Sequence, residues 1–143
     1  MSFPGLLVNG VAVDTVSVHD RGFQYGDGLF ETIAVHRGAP LLWERHMQRL
    51  AAGAVRLGMP PPETALLRAE ADQLCRGVER GALKIILTRG VSGRGYRSAA
   101  SVSTTRVLSL SPWPDYPPSW TREGVAVRLC QMRLASQPRL AGL

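Results

Sequence analysis

Asp20-Arg21-Gly22-Phe23-Gln24-Tyr25-Gly26-Asp27-Gly28-Leu29-Phe30-Glu31-Thr32 is the stretch whose reading decides how this chain folds. Its first half is punctuated by glycine, which marks a tight loop using backbone angles that side chains with a Cβ disfavour. Its second half opens an apolar strand, Leu29 to His36. Gly26-Asp27-Gly28 has two glycines in the relation of a dinucleotide fingerprint, but the third is missing. A strand follows where such a site needs a helix, so a Rossmann reading fails. A short step downstream lies Glu44-Arg45-His46-Met47-Gln48-Arg49-Leu50, within a helix that starts near Trp43.

Working outward, Leu6 to Val13 reads as a short hairpin, with Asn9-Gly10 as the turn between two apolar arms. Arg37-Gly38-Ala39-Pro40 turns the Leu29–His36 strand into Leu41-Leu42. In the helix from Trp43, the residues Met47, Leu50, Ala54 and Leu57 form one stripe of a 3.6-residue period, and Gly58 ends it. Pro60-Pro61-Pro62 forces a connector. A second helix follows, with Leu67, Ala71, Leu74, Cys75 and Val78 on one face, Arg76 and Arg80 near its C-terminus and Gly81 as its stop. Three strands are expected after it: Leu83 to Thr88, Arg106 to Ser111 and Val125 to Met132. Pro112 to Ser119 holds four of the ten prolines and reads as a rigid loop. Strands, two adjacent helices and more strands, with short links, predict an α+β lobe on a mostly antiparallel sheet.

The 143 residues fit one domain or one lobe of a larger protein. An apolar fraction of 45% suits a globular core. No apolar run reaches the ~18 residues of a membrane span, and the N-terminus lacks the charged and apolar regions of a secretory signal. Cys75 and Cys130 have no metal-ligand spacing and read as packed thiols, so a cytoplasmic location is expected, with no metal and no membrane. Net charge +6 raises the question of nucleic acid. The arginines are spread from Arg21 to Arg139 without a dense basic stripe, and the aromatics Trp113, Tyr116 and Trp120 lie in the proline-rich stretch. A nucleic-acid partner is therefore not expected.

The order of a glycine-punctuated loop, an apolar strand and an arginine-bearing helix resembles the start of the fold-type IV pyridoxal-phosphate enzymes. That family includes branched-chain and D-amino acid aminotransferases and aminodeoxychorismate lyases. The resemblance implies an α+β N-terminal small domain over residues 1–143 of a two-domain, homodimeric enzyme acting on a small-molecule substrate. It implies pyridoxal 5′-phosphate as cofactor, with Arg49 of His46-x-x-Arg49-Leu50 at the phosphate. A guanidinium suits that dianion because it donates in a fork and keeps its charge. By the same resemblance Tyr25 and Phe30 line the substrate pocket. Within Thr88-Arg89-Gly90-Val91-Ser92-Gly93-Arg94-Gly95-Tyr96, the residues Arg94 and Tyr96 receive a substrate carboxylate.

The Gly-Arg-Gly-Tyr form of that loop, and the run from Arg133-Leu134-Ala135 to Leu140-Ala141-Gly142-Leu143, resemble the lyases more than the aminotransferases. A lyase would release 4-aminobenzoate and pyruvate for folate synthesis. The cofactor-bearing lysine is expected just after Leu143. Lys84, the sole lysine, opens a strand far in sequence from that place. Two rivals remain: a fold-type IV aminotransferase for D- or branched-chain amino acids, and a non-catalytic stand-alone domain.

Overall fold

The computed structural model describes residues 5–93, 95 and 103–133. Arg94, Tyr96 and Leu140–Leu143 lie outside the described residues. In chain order the elements are β1 (Leu6–Val8), α1 (Arg21–Tyr25), β2 (Gly28–His36), β3 (Ala39–Pro40), α2 (Trp43–Arg56), α3 (Thr64–Cys75), β4 (Arg80–Thr88), β5 (Thr105–Pro112) and α4 (Pro118–Glu123). The chain divides into two compact units, Met1–Trp113 and Pro114–Leu143.

In the first unit, five strands form one sheet in the order β1-β5-β4-β2-β3, and every neighbouring pair is antiparallel. Period-2 alternation then sorts the side chains between two faces. Ile33 of β2 lies opposite Leu83 of β4, and Ile85 opposite Leu108 of β5. These residues are fully buried against Met47 and Leu50 of α2 and against Leu67 and Ala71 of α3. Burying one such leucine or isoleucine is worth roughly 1.5–3 kcal/mol, so this layer is the main source of stability. The other face carries Phe30, Ile86 and Val107 in register across three strands and has no helix from the core cluster against it. The expected α+β lobe on an antiparallel sheet is what forms.

Several local expectations change. Asn9 and Gly10 do make the left-handed turn (φ 51° and 82°), but the second arm is a single bridge, Val8 to Val11. β1 instead takes its ladder from β5, whose apolar edge offers a longer partner. The second helix ends at Cys75, not near Gly81. Arg76 leaves helical angles and Gly77 takes φ 77°, a left-handed value that glycine adopts without a Cβ penalty. Arg80 and Gly81 therefore open β4, extending that strand at its start. The sequence between Asp20 and Gly26, expected as loop, contains the short helix α1, because Asp20 accepts the Gly22 N–H and caps it.

In the second unit, the proline-rich stretch enters α4, with Pro118 in its first turn, where a missing N–H costs nothing. The rings of Tyr116 and Trp120 pack 5.5 Å apart. The strand expected over Val125 to Met132 does not form: residues 124–133 have no ladder partner among the described residues. Alternation of Val125, Val127 and Leu129 satisfies the period of a strand, but the hydrogen bonds that make one must come from a neighbour. Among the described residues no helix is long and apolar enough to cross a membrane.

Candidate active site

Leu29, Glu31, Ile33 and Val35 share the helix-facing side of β2, so alternation carries a carboxylate into the apolar layer. Glu31 is 2% exposed there. A buried carboxylate needs donors, and α2 supplies them from positions one turn apart. Arg49 donates from Nε to Glu31 Oε1 at 2.7 Å and from Nη2 to Oε2. His46 Nδ1 lies 2.6 Å from Oε2. A carboxylate only accepts, so in this pair His46 carries its proton on Nδ1. Burial pushes the Glu31 carboxyl upward, but the hydrogen bonds and charges of Arg49 and His46 outweigh it and hold its pKa below the ordinary value. The hydrogen bond to Glu31, followed by its charge, raises that of Arg49.

Arg49 is thus gripped on one edge and open on the other. Its side chain is 60% exposed, and Nη1 has no partner among the described residues. The stripe beside it is buried as expected, and Arg49 itself reaches water. An oriented, permanently charged outer edge suits an oxyanion such as a phosphate.

A second carboxylate, Asp27, gathers two further arginines. Arg21 Nε and Arg89 Nε both donate to Asp27 Oδ2, each at 2.8 Å. Arg89 also donates to the carbonyls of Leu57 and Gly58 at 2.7 and 3.0 Å, closing the C-terminus of α2. Arg21 donates to the Gly95 carbonyl at 2.8 Å, and its guanidinium lies 4.7 Å from the Tyr25 ring centroid. Burial opposes the charge of Asp27, and the hydrogen bonds from Arg89 and Arg21 overcome it, again lowering the pKa. Gly90 follows, with φ 85°; a Cβ there would stand 1.9 Å from the Ser103 carbonyl oxygen. No other residue fits where the two chain segments cross.

Across the sheet from Glu31, Phe30 is 65% exposed, with the Lys84 ammonium 4.9 Å from its ring centroid. Phe30, Ile86, Val107 and Val8 wall a cleft of about 510 Å³, and Phe23 and Gly26 of the α1 segment close another side. Phe30 and Tyr25 therefore belong to the open side of the sheet and to α1, whereas Arg49 joins Glu31 on the helix side. Arg94 and Tyr96 lie outside the described residues. The sequence reading passed over Glu31, Asp27, Arg21 and Arg89. The available signal for Glu31 was a charge at an apolar register position of β2. For the other three no periodic signal exists, since they meet only through the fold. Among the described residues no group of three or more His, Cys, Asp or Glu could hold a metal ion.

The family model for amino-transferase class IV matches residues 28–142. The chain belongs to this family. Its match begins at the first residue of β2 and takes in both arginine clusters except Arg21 and Asp27. Among relatives of the class IV family, the aminodeoxychorismate lyase of Vibrio harveyi is 34% identical over 135 residues, covering 94% of this chain and 50% of that protein. The crystal structure of 4-amino-4-deoxychorismate lyase from Pseudomonas aeruginosa superposes with a TM-score of 0.89 and 48% identity, over 96% of this chain and 51% of that one. A hypothetical aminotransferase from Mycobacterium tuberculosis, solved in its PLP-bound form, gives a TM-score of 0.64 and 26% identity over 77% of this chain and 41% of that one. The chain spans about half the length of the two lyases.

Proposed function

We propose that this chain is part of a pyridoxal-phosphate-dependent aminodeoxychorismate lyase, converting 4-amino-4-deoxychorismate to 4-aminobenzoate and pyruvate for folate synthesis. The observation that carries the reading is the likeness to the Pseudomonas aeruginosa lyase, at 48% identity and a TM-score of 0.89. Residues 1–143 form the N-terminal small domain of the enzyme, which works as a cytoplasmic homodimer. The cofactor-bearing lysine belongs to the part of the family's length that this chain does not span. Lys84 does not take that role: it lies within β4, far in sequence from the expected position.

Pyridoxal phosphate, when bound, supplies an electron sink that acidifies the C–H beside the substrate's amino group. The chain's own residues bind and orient. Arg49 offers its outer edge to the phosphate, and Glu31, itself held by His46, fixes the angle of that edge. Fixing a donor in advance removes ordering cost from the binding step. Tyr25 and Phe30 line the substrate side, and Arg94 with Tyr96 receives a substrate carboxylate.

Release of 4-aminobenzoate by the intact protein without any keto-acid acceptor is the deciding measurement. Turnover only with an acceptor would replace this reading with a fold-type IV aminotransferase, and absence of both would leave a non-catalytic domain. Arg49→Lys keeps a charge but loses the fork, so pyridoxal-phosphate affinity falls about tenfold or more. Equal affinity in a spectroscopic titration would remove Arg49 from the phosphate site.

A further inference from the structure

The Asp27 cluster ties together three segments that are distant in sequence. α1 enters through Arg21, the end of β4 through Arg89, and the C-terminus of α2 through the Leu57 and Gly58 carbonyls. The Arg21 and Arg89 side chains are 4% and 10% exposed, and both Nε atoms converge on the same carboxylate oxygen. Without that oxygen, two buried positive charges would face each other at close range. The backbone repeats the connection. Arg21 N–H donates to the Gly90 carbonyl at 2.9 Å, and Arg89 N–H to the Asp27 carbonyl at 3.0 Å.

Two contacts lead from this cluster towards the substrate side. Arg21 Nη1 holds the Gly95 carbonyl at 2.8 Å and approaches Ser92 Oγ at 3.4 Å, gripping the loop after β4 on both sides of position 94. The same guanidinium stacks on Tyr25. Gly26 and Gly28 line the cleft on either side of Asp27, whose own carboxylate is spent on the arginines.

We propose that Asp27 is a positioning residue: through Arg21 and Arg89 it presets the backbone at Gly90–Gly93 and at Gly95 beside Tyr25, and so determines how well the substrate's carboxylate is received. The inference rests on the functional reading above, which gives Tyr25 and the Arg94 loop to the substrate. Its physical basis is entropic. A loop with glycines at positions 90, 93 and 95 loses much freedom when ordered, and ordering it before binding spares that loss when substrate arrives.

The test is Asp27→Asn in the intact, cofactor-loaded protein, which keeps the side chain's size and removes its charge. Hydrogen exchange at Gly90–Gly93 is expected to accelerate by about tenfold or more, and the KM for aminodeoxychorismate to rise by about tenfold. kcat stays within about threefold and pyridoxal-phosphate affinity is unchanged, since the Asp27 carboxylate is taken up by Arg21 and Arg89. Exchange at the wild-type rate overturns the proposal, as does faster exchange with an unchanged KM. Lost cofactor affinity also overturns it. Arg21→Lys keeps the charge but cannot serve Asp27 and Gly95 together. It should show the same pattern at smaller amplitude, and it decides the question if Asp27→Asn does not fold. Failure of the wild type to release 4-aminobenzoate sinks the lyase reading by itself. The same pair of measurements on a D-amino acid transamination would then still judge Asp27.

Discussion

Asp27 and Glu31 stand four residues apart, each is a largely buried carboxylate, and each collects basic side chains, yet they do opposite things. Asp27 is closed: both of its arginines are buried, and each also donates to backbone carbonyls. Glu31 is open: it grips one edge of an arginine whose side chain is 60% exposed. Asp27 precedes the strand and meets a loop and a helix end, whose carbonyls lie outside regular ladders and accept from its arginines. Glu31 lies within the strand and meets the middle of α2, whose carbonyls are already committed to the helix. The same ion-pair chemistry becomes a staple in the first case and an aimed cation in the second.

The largest effect should come from emptying the closed site. Asp27→Ala leaves two buried guanidiniums without their anion and should cost about 3–5 kcal/mol, read as a lower urea midpoint of the intact protein. A loss equal to that of a surface substitution would mean that the two clusters do not differ in kind. Glu31→Gln should cost less, about 1–3 kcal/mol, because the released Arg49 edge can turn to water. If Glu31→Gln proves the more damaging, the open site is the true structural staple.

Acid should affect both clusters in the same direction. Each carboxyl has a folded pKa below its ordinary value, 3.8 for Asp27 and 4.5 for Glu31. The unfolded chain therefore takes up protons first as pH falls. Their contribution is fully present above these values and is lost as pH drops through the depressed folded ones. Urea midpoints should hold from neutral pH to about 4.5 and then decline. Asp27→Asn and Glu31→Gln should each flatten that decline; an unchanged acid limb in both would show that other groups set it. The smallest effect is expected at the exposed pair Arg68–Asp72, half in solvent and one helical turn apart. Asp72→Asn should shift stability by only about 0.3–0.5 kcal/mol. A cost approaching that of Glu31→Gln would show that burial is not what separates these ion pairs.

Most of the fold was legible because it depends on short-range periodicity. The stripe of Met47, Leu50 and Ala54 specified α2, and alternation from Leu29 to His36 specified β2. Where two local signals competed, the reading went astray. Gly77 stops α3 before Gly81 could, and the alternation of Val125 to Leu129 mimics a strand where the described residues offer no partner. Of the candidate site, Arg49 could be singled out from its helix position and family pattern. Its grip by Glu31 could not, because a charge on an apolar face looks like an exception until α2 is packed over it.

By itself the sequence determined most of the elements, the α+β class and the family, since hydrophobic period, turn residues and motif order are all properties of neighbouring residues. Only the tertiary structure decided which charges meet. Arg21, Asp27 and Arg89 are brought onto one oxygen by a helix cap, a strand end and a loop crossing that no spacing encodes. The physical reason is that an ion pair needs contact within a few ångströms, and for residues 62 apart that contact exists only once the sheet has closed the distance.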